Sequence, residues 1–105
     1  MSIYGKWQAA TILSGQLISV EVDLGRDYDF LEIIIPTLDD PTTIKLETAE
    51  KTGGDFLPLG DGVTTAAGTH NYHDVFNLGG WQFIKVVADN TQTGNKLIRV
   101  RGMRY

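Results

Sequence analysis

The sequence predicts an all-β fold: an antiparallel β-sandwich of about eight strands with jelly-roll or Greek-key connections. Three observations carry that prediction. Several short segments alternate apolar and polar residues at a period of two, the signature of a strand with one face buried. No window sustains the i, i+3, i+4, i+7 apolar spacing of an amphipathic helix. Twelve glycines, together with abundant Thr, Val and Ile, divide the chain into short strands and tight turns.

Taken in order, a first strand is expected around Lys6 to Leu13. Gln16 to Leu24 follows, with Ile18, Val20, Val22 and Leu24 predicted inward and Ser19, Glu21 and Asp23 outward. Gly25 is expected to stop that strand, and Arg26 to Asp29 to form a polar turn. Phe30 to Ile35 is almost continuously apolar and reads as a strand covered on both faces, or as one that meets another subunit. Pro36 ends it, because proline cannot donate to a ladder, and a turn-rich loop runs to Thr42.

Thr43 to Ala49 alternates again, with Ile44 and Leu46 against Lys45 and Glu47. Lys51 to Asp55 reads as a hairpin connection, and Phe56 to Leu59 as a short edge strand because it carries Pro58. Gly60 to Gly68 suits a loop or weak strand, and Thr69 to Leu78 fits either a strand or a single helical turn. Gly79-Gly80 then opens a strand from Trp81 to Asp89, with Ile84, Val86 and Ala88 on one face and Phe83, Lys85 and Val87 on the other. After the turn cluster Asn90 to Asn95, Lys96 to Tyr105 is the last strand, with Ile98 and Val100 inward against Arg99 and Arg101.

The 105 residues fit one domain, 1–105, in which residues 1–7 read as an N-terminal arm. Cysteine is absent, so neither disulfides nor thiolate metal sites contribute, and packing must hold the chain together. The composition, 42% apolar and 21% charged, is that of a folded domain. A formal net charge of −4 argues against nucleic acid as a partner, since phosphate neutralisation calls for a basic balance. No run of about eighteen apolar residues spans a membrane, and Met1 to Trp7 shows no signal-peptide core. Synthesis in the cytoplasm without secretion is therefore expected.

The search for chemistry yields little. His70 and His73 stand three apart with Asp74 as the one adjacent ligand, and solvated loop histidines explain them as well as a metal does. Asp39, Asp40, Asp55, Asp61 and Asp89 recur in loops without the Asp-x-Asp-x-Asp ladder of a calcium loop, and read as turn aspartates. Glu21, Glu32 and Glu47 read as wet-face strand residues. No Gly-x-Ser-x-Gly elbow and no phosphate-cradling glycine loop occurs. The expectation is no catalytic residue, no metal and no cofactor.

Aromatic residues are more informative. Tyr4, Trp7, Tyr28, Tyr72, Trp81 and Tyr105 are enough to build a sugar-stacking surface, while Trp7 and Trp81 are assigned here to the core or an inter-subunit contact. Arg99, Arg101 and Arg104 are read as a basic stripe on one face of the last strand, facing an acidic partner or solvent. With Ile3, Tyr4, Trp7, Phe30, Ile34 and Trp81 they make up the expected partner interface.

The chain as a whole resembles small jelly-roll virion proteins of tailed phages. The resemblance begins at Ala10-Thr11-Ile12-Leu13-Ser14-Gly15-Gln16 and runs through Val22-Asp23-Leu24-Gly25 to Ile35-Pro36. It continues with Ile44-Lys45-Leu46-Glu47, Gly53-Gly54-Asp55-Phe56-Leu57-Pro58-Leu59 and Asp61-Gly62. It closes on Gly80-Trp81-Gln82-Phe83-Ile84-Lys85-Val86 and Ile98-Arg99-Val100. The arginine-rich last strand and the His70-Asn71-Tyr72-His73 segment depart from it. What the resemblance implies is a capsid decoration, cement or fibre-associated protein without catalytic residues. Such a protein resides in the virion, contacts the major capsid protein or another virion protein, and forms a homo-oligomer, a trimer being favoured. The alternative is a carbohydrate-binding or host-adhesion module of a phage tail or fibre.

Overall fold

A computed structural model describes residues 3–36, 42–59, 65–67, 72–89 and 91–104. Expectations for residues 37–41, 60–64, 68–71 and 90, which include His70 and Asp61, and for Tyr105 lie outside the described residues. Those described form eight strands and no helix: β1 (Ile3–Tyr4), β2 (Gln8–Ile12), β3 (Val22–Ile35), β4 (Thr42–Ala49), β5 (Leu57–Pro58), β6 (Thr65–Ala67), β7 (Tyr72–Ala88) and β8 (Lys96–Arg104).

All pairings are antiparallel, in the order β1-β8-β3-β7-β4-β5, with β2 also on β8 and β6 also on β4. The long strands β3 and β7 belong to both layers of the fold. The C-terminal half of β3 pairs with β8 and with the first half of β7. Beyond the bend, Val22 and Asp23 pair with Ile84 and Phe83, and the second half of β7 pairs with β4. The two layers close on one core that gathers Ala10, Ile12, Leu31, Ile33, Ile98 and Val100 with Ile44, Leu46, Phe76, Ile84 and Val86. This is an antiparallel β-sandwich, and its non-sequential pairings exclude a meander.

Both long strands run through points where the sequence predicts a stop. Gly25 does not end β3. The register slips between Asp23 and Tyr28, so the backbone bulges and bends there while the strand continues. Opposite it, Gly79 and Gly80 lie inside β7 with φ of 67° and 103°, a region that L side chains rarely adopt. They let β7 turn from one layer into the other rather than opening a new strand. The undecided segment after Asn71 is thus the first half of β7.

The predicted facing of Gln16 to Leu24 is corrected in its first half. Ile18 and Val20 are exposed, at 43% and 50%, while Ser19 is buried. The cause is a bulge. Ser19 N–H donates to the Val86 carbonyl, and its hydroxyl accepts from Val86 N–H at 2.9 Å and donates to the Val20 carbonyl at 2.8 Å. Val20 N–H turns instead to Thr11. One extra residue flips alternation, and Val22 and Leu24 face inward as predicted.

The alternation of β4 and β8 agrees with prediction, with Ile44, Leu46, Ile98 and Val100 buried. In β3, Leu31, Ile33 and Ile35 are buried, whereas Phe30 and Ile34 are only half covered. Among the described residues β5 pairs only with β4, the edge position that Pro58 requires. The arm is not free. Ile3 and Tyr4 pair with Arg104 and Met103, and Gly5 N–H donates to the Gly102 carbonyl at 2.9 Å.

Two carboxylates tie the start of β3 to its surroundings. Glu21 accepts from the Thr52 hydroxyl and from Gly53 N–H at 2.7 Å, and these bonds hold its carboxyl below the usual glutamate range. Asp23 accepts from the Gln82 amide at 2.9 Å and Gly25 N–H at 2.8 Å, with the same direction of shift. A carboxyl whose folded pKa is depressed stabilises the fold above its unfolded pKa, and that contribution is lost as pH falls through the lower folded value. In an NMR acid titration, the amide signals of Gly25 and Gly53 are therefore expected to move at a pH below that of free aspartate and glutamate. Midpoints at or above the free values would remove the latch.

Candidate functional site

The outer face of β8, β3 and the first half of β7 carries three cross-strand rows, each fixed by register. Tyr4, Met103, Phe30 and Asn77 form the first, Arg101, Glu32 and Val75 the second, and Arg99, Ile34 and His73 the third. Alternation puts Leu31 and Ile33, next to these residues in sequence, on the buried side.

Arg101 is the centre of this face. Its guanidinium lies 4.6 Å from the Tyr4 ring centroid and 4.5 Å from that of Trp7, so both aromatic rings pack against it. Nε and Nη2 donate to Glu32 Oε2 at 3.2 and 3.0 Å. The two side chains are 27% and 22% exposed. Two ring contacts and an ion pair hold a side chain that would otherwise sample many rotamers. Trp7, Glu32, Ile34, His73, Val75 and Arg101 line an open groove of about 520 Å³. Val75 is 50% exposed and Tyr4 52%, so apolar and aromatic surface remains open to solvent around the arginine.

Tyr28 explains how the arm reaches this place. Its side chain is buried, and the ring covers Gly102 so closely that a Cβ there would lie 2.1 Å from Cδ2. At Gly5 a Cβ would lie 2.8 Å from the phenol oxygen. Two glycines therefore let the arm and β8 close over one tyrosine. Tyr4 and Trp7, on either side of Gly5, are carried to Arg101 by that closure.

Of the residues singled out from the sequence, Tyr4, Trp7, Ile34 and Arg101 come together, with Phe30 and Arg99 in adjoining rows. Trp7 is not a core residue, being 41% exposed. The basic stripe is only partly right. Arg104 stands three residues from Arg101 and so falls on the opposite strand face, where it lies 3.8 Å from Asp27. Ile3 pairs with Arg104 and goes with it. Glu32, His73 and Val75 were not singled out as interface residues. For Glu32 a signal existed: it is the one charge inside the apolar run Phe30 to Ile35.

Trp81 belongs elsewhere. It is half-buried and lines a second concavity, of about 480 Å³, between the turn after β4 and strand β5. No group of three or more His, Asp or Glu side chains among the described residues is placed to hold a metal. No helix there is long and apolar enough to cross a membrane.

Fold and surface together define the chain as an all-β sandwich domain with a rigid aromatic-arginine patch on one sheet face. No family model matches the sequence, and no curated protein matches it either. Solved structures share its fold. The SPBc2 prophage-derived protein YomS superposes with a TM-score of 0.65 at 14% identity, over 98% of this chain and 95% of that one. The F5/8 type C domain of a Bacteroides fragilis protein gives 0.56 at 7% identity, over 93% and 75%. A mutant of a family 29 carbohydrate-binding module gives 0.53 at 8% identity, over 98% and 92%. At these identities the likeness is one of fold.

Proposed function

We propose that this chain is a non-enzymatic structural protein of a tailed-phage virion, a capsid decoration or cement protein. It docks on the major capsid protein or another virion protein through the outer face of β8, β3 and β7. The observation that carries the reading is Arg101 packed against the rings of both Tyr4 and Trp7 and paired to Glu32, beside exposed Val75. Trp, Tyr and Arg are the residues that dominate binding energy at protein interfaces, above all when preorganised. In this reading Glu32 is held in its ion pair with Arg101 and serves the interface rather than catalysis. The sandwich shared with a prophage-derived protein over 95% of that protein's length supports a phage setting.

The partner surface has an apolar centre with carboxylates at its edge, because Arg99 and Arg101 add positive charge to this face of a chain with net charge −4. The protein assembles as a homo-oligomer, a trimer at a local symmetry axis of the head. The test is cosedimentation of the purified protein with phage heads that lack it, alongside its sedimentation equilibrium. Saturable binding at a fixed copy number per capsid subunit is expected. A monomer at high concentration that stays in the supernatant would refute the assignment.

A further inference from the structure

The concavity beside Trp81 lies away from the docking face, in the other layer, and the proposed function does not use it. Its floor is the end of β4, where Thr48 and Ala49 are buried. One wall is the turn carrying Glu50, Lys51 and Asp55, and the other is the exposed edge strand with Pro58. Trp81 enters at the bend of β7, immediately after Gly79-Gly80, on the half-covered strand face that also carries Phe83 and Lys85.

We infer that this cleft binds a neutral saccharide of one or two sugar units. Its volume, about 480 Å³, lies within the range of small-molecule sites and is too small for a folded partner. An indole face offers what the C–H side of a pyranose ring stacks on. Sugar hydroxyls both donate and accept, and the rim supplies both complements: the carboxylates of Glu50 and Asp55 as acceptors, the Lys51 ammonium as a donor. All three side chains are free of protein hydrogen bonds and ion pairs among the described residues. Two carboxylates against one ammonium disfavour an anionic sugar, which selects the neutral class.

The rim is also held in place before any ligand arrives. Gly54 N–H donates to the Lys51 carbonyl at 3.1 Å and closes the turn. Glu21 reaches across from the start of β3 to accept from Thr52 and Gly53, anchoring the same turn from outside. A loop already ordered loses less entropy on binding. Glu21 thus acts as a positioning residue for the cleft.

The experiment is a fluorescence titration of the Trp7→Phe protein, in which Trp81 is the only tryptophan, with glucose, galactose, N-acetylglucosamine, cellobiose and galacturonic acid. At least one neutral sugar is expected to give a saturable change with Kd on the order of millimolar. Galacturonic acid is expected to bind more weakly. Asp55→Asn, on the exposed rim, is expected to weaken binding about tenfold. Glu21→Gln is expected to weaken it while leaving the circular dichroism of the fold unchanged. In the Trp81→Ala protein with Trp7 restored, amide shifts of Glu50 to Gly54 on adding the same sugar should vanish. Absence of saturation with every neutral sugar would overturn the inference, as would equal binding of galacturonic acid or amide shifts that survive Trp81→Ala. None of these outcomes bears on docking through Arg101, so the two proposals stand or fall separately.

Discussion

Gly102→Ala is expected to destabilise the fold by about 3 kcal/mol or more, because the new methyl would enter the Tyr28 ring. The Cβ position lies 2.1 Å from Cδ2, 2.2 Å from Cγ and 2.6 Å from Cε2, none of them the far end of a flexible side chain. The ring has no easy retreat. It is 5% exposed within the core, and its phenol end already abuts Gly5. For a domain of this size, the melting midpoint should fall by roughly 10–20 °C. Tyr28→Leu vacates part of the ring volume and is itself destabilising. In the double variant, the loss should be smaller than the sum of the two single losses, which a double-mutant cycle measures directly. A neutral Gly102→Ala, or strict additivity, would show that ring and glycine are not in contact.

Arg101→Ala should abolish detectable docking while leaving the domain folded. Truncation removes the group that Tyr4 and Trp7 stack on, and leaves Glu32 as an unpaired carboxylate in the middle of the face. Loss of a central arginine anchor typically costs about 2–4 kcal/mol of binding, or about 30- to 1,000-fold in Kd. The fold should lose far less, because the pair is partly solvated and the ladder of β8 with β3 does not depend on it. Arg101→Lys is a sharper probe: it keeps the charge but loses the planar stack, and should recover only a small part of the affinity. Docking by Arg101→Ala at wild-type strength would remove the patch from the interface.

Strand alternation in the sequence carries much of the fold and little of the site. Where a strand keeps its register, as in Ile44-Leu46 and Ile98-Val100, every second residue is buried as the period requires. The misreadings arise where a distant partner decides the outcome. Ser19 is buried because Val86, far along the chain, needs its hydroxyl, and no local pattern announces that bond. Gly25 and Gly79-Gly80 look like stops, but in a sandwich whose strands change layers a glycine is equally a bend. The patch is harder still to read. Tyr4 and Trp7 meet Arg101 only because the two chain ends pair as β1 and β8, with Tyr28 seated between Gly5 and Gly102. Composition flagged the aromatics and arginines; only topology brings them together. Trp81, grouped with them by residue type, belongs to another surface.

The proposed virion contact is the outer face of β8, β3 and β7. A cryo-electron microscopy reconstruction of the decorated phage head tests it most directly. Tyr4, Trp7 and Arg101 are expected to be buried against a neighbouring virion protein, with Arg99 near carboxylates at the rim. A map showing the domain attached by any other surface, with Arg101 and Trp7 facing solvent, would contradict it.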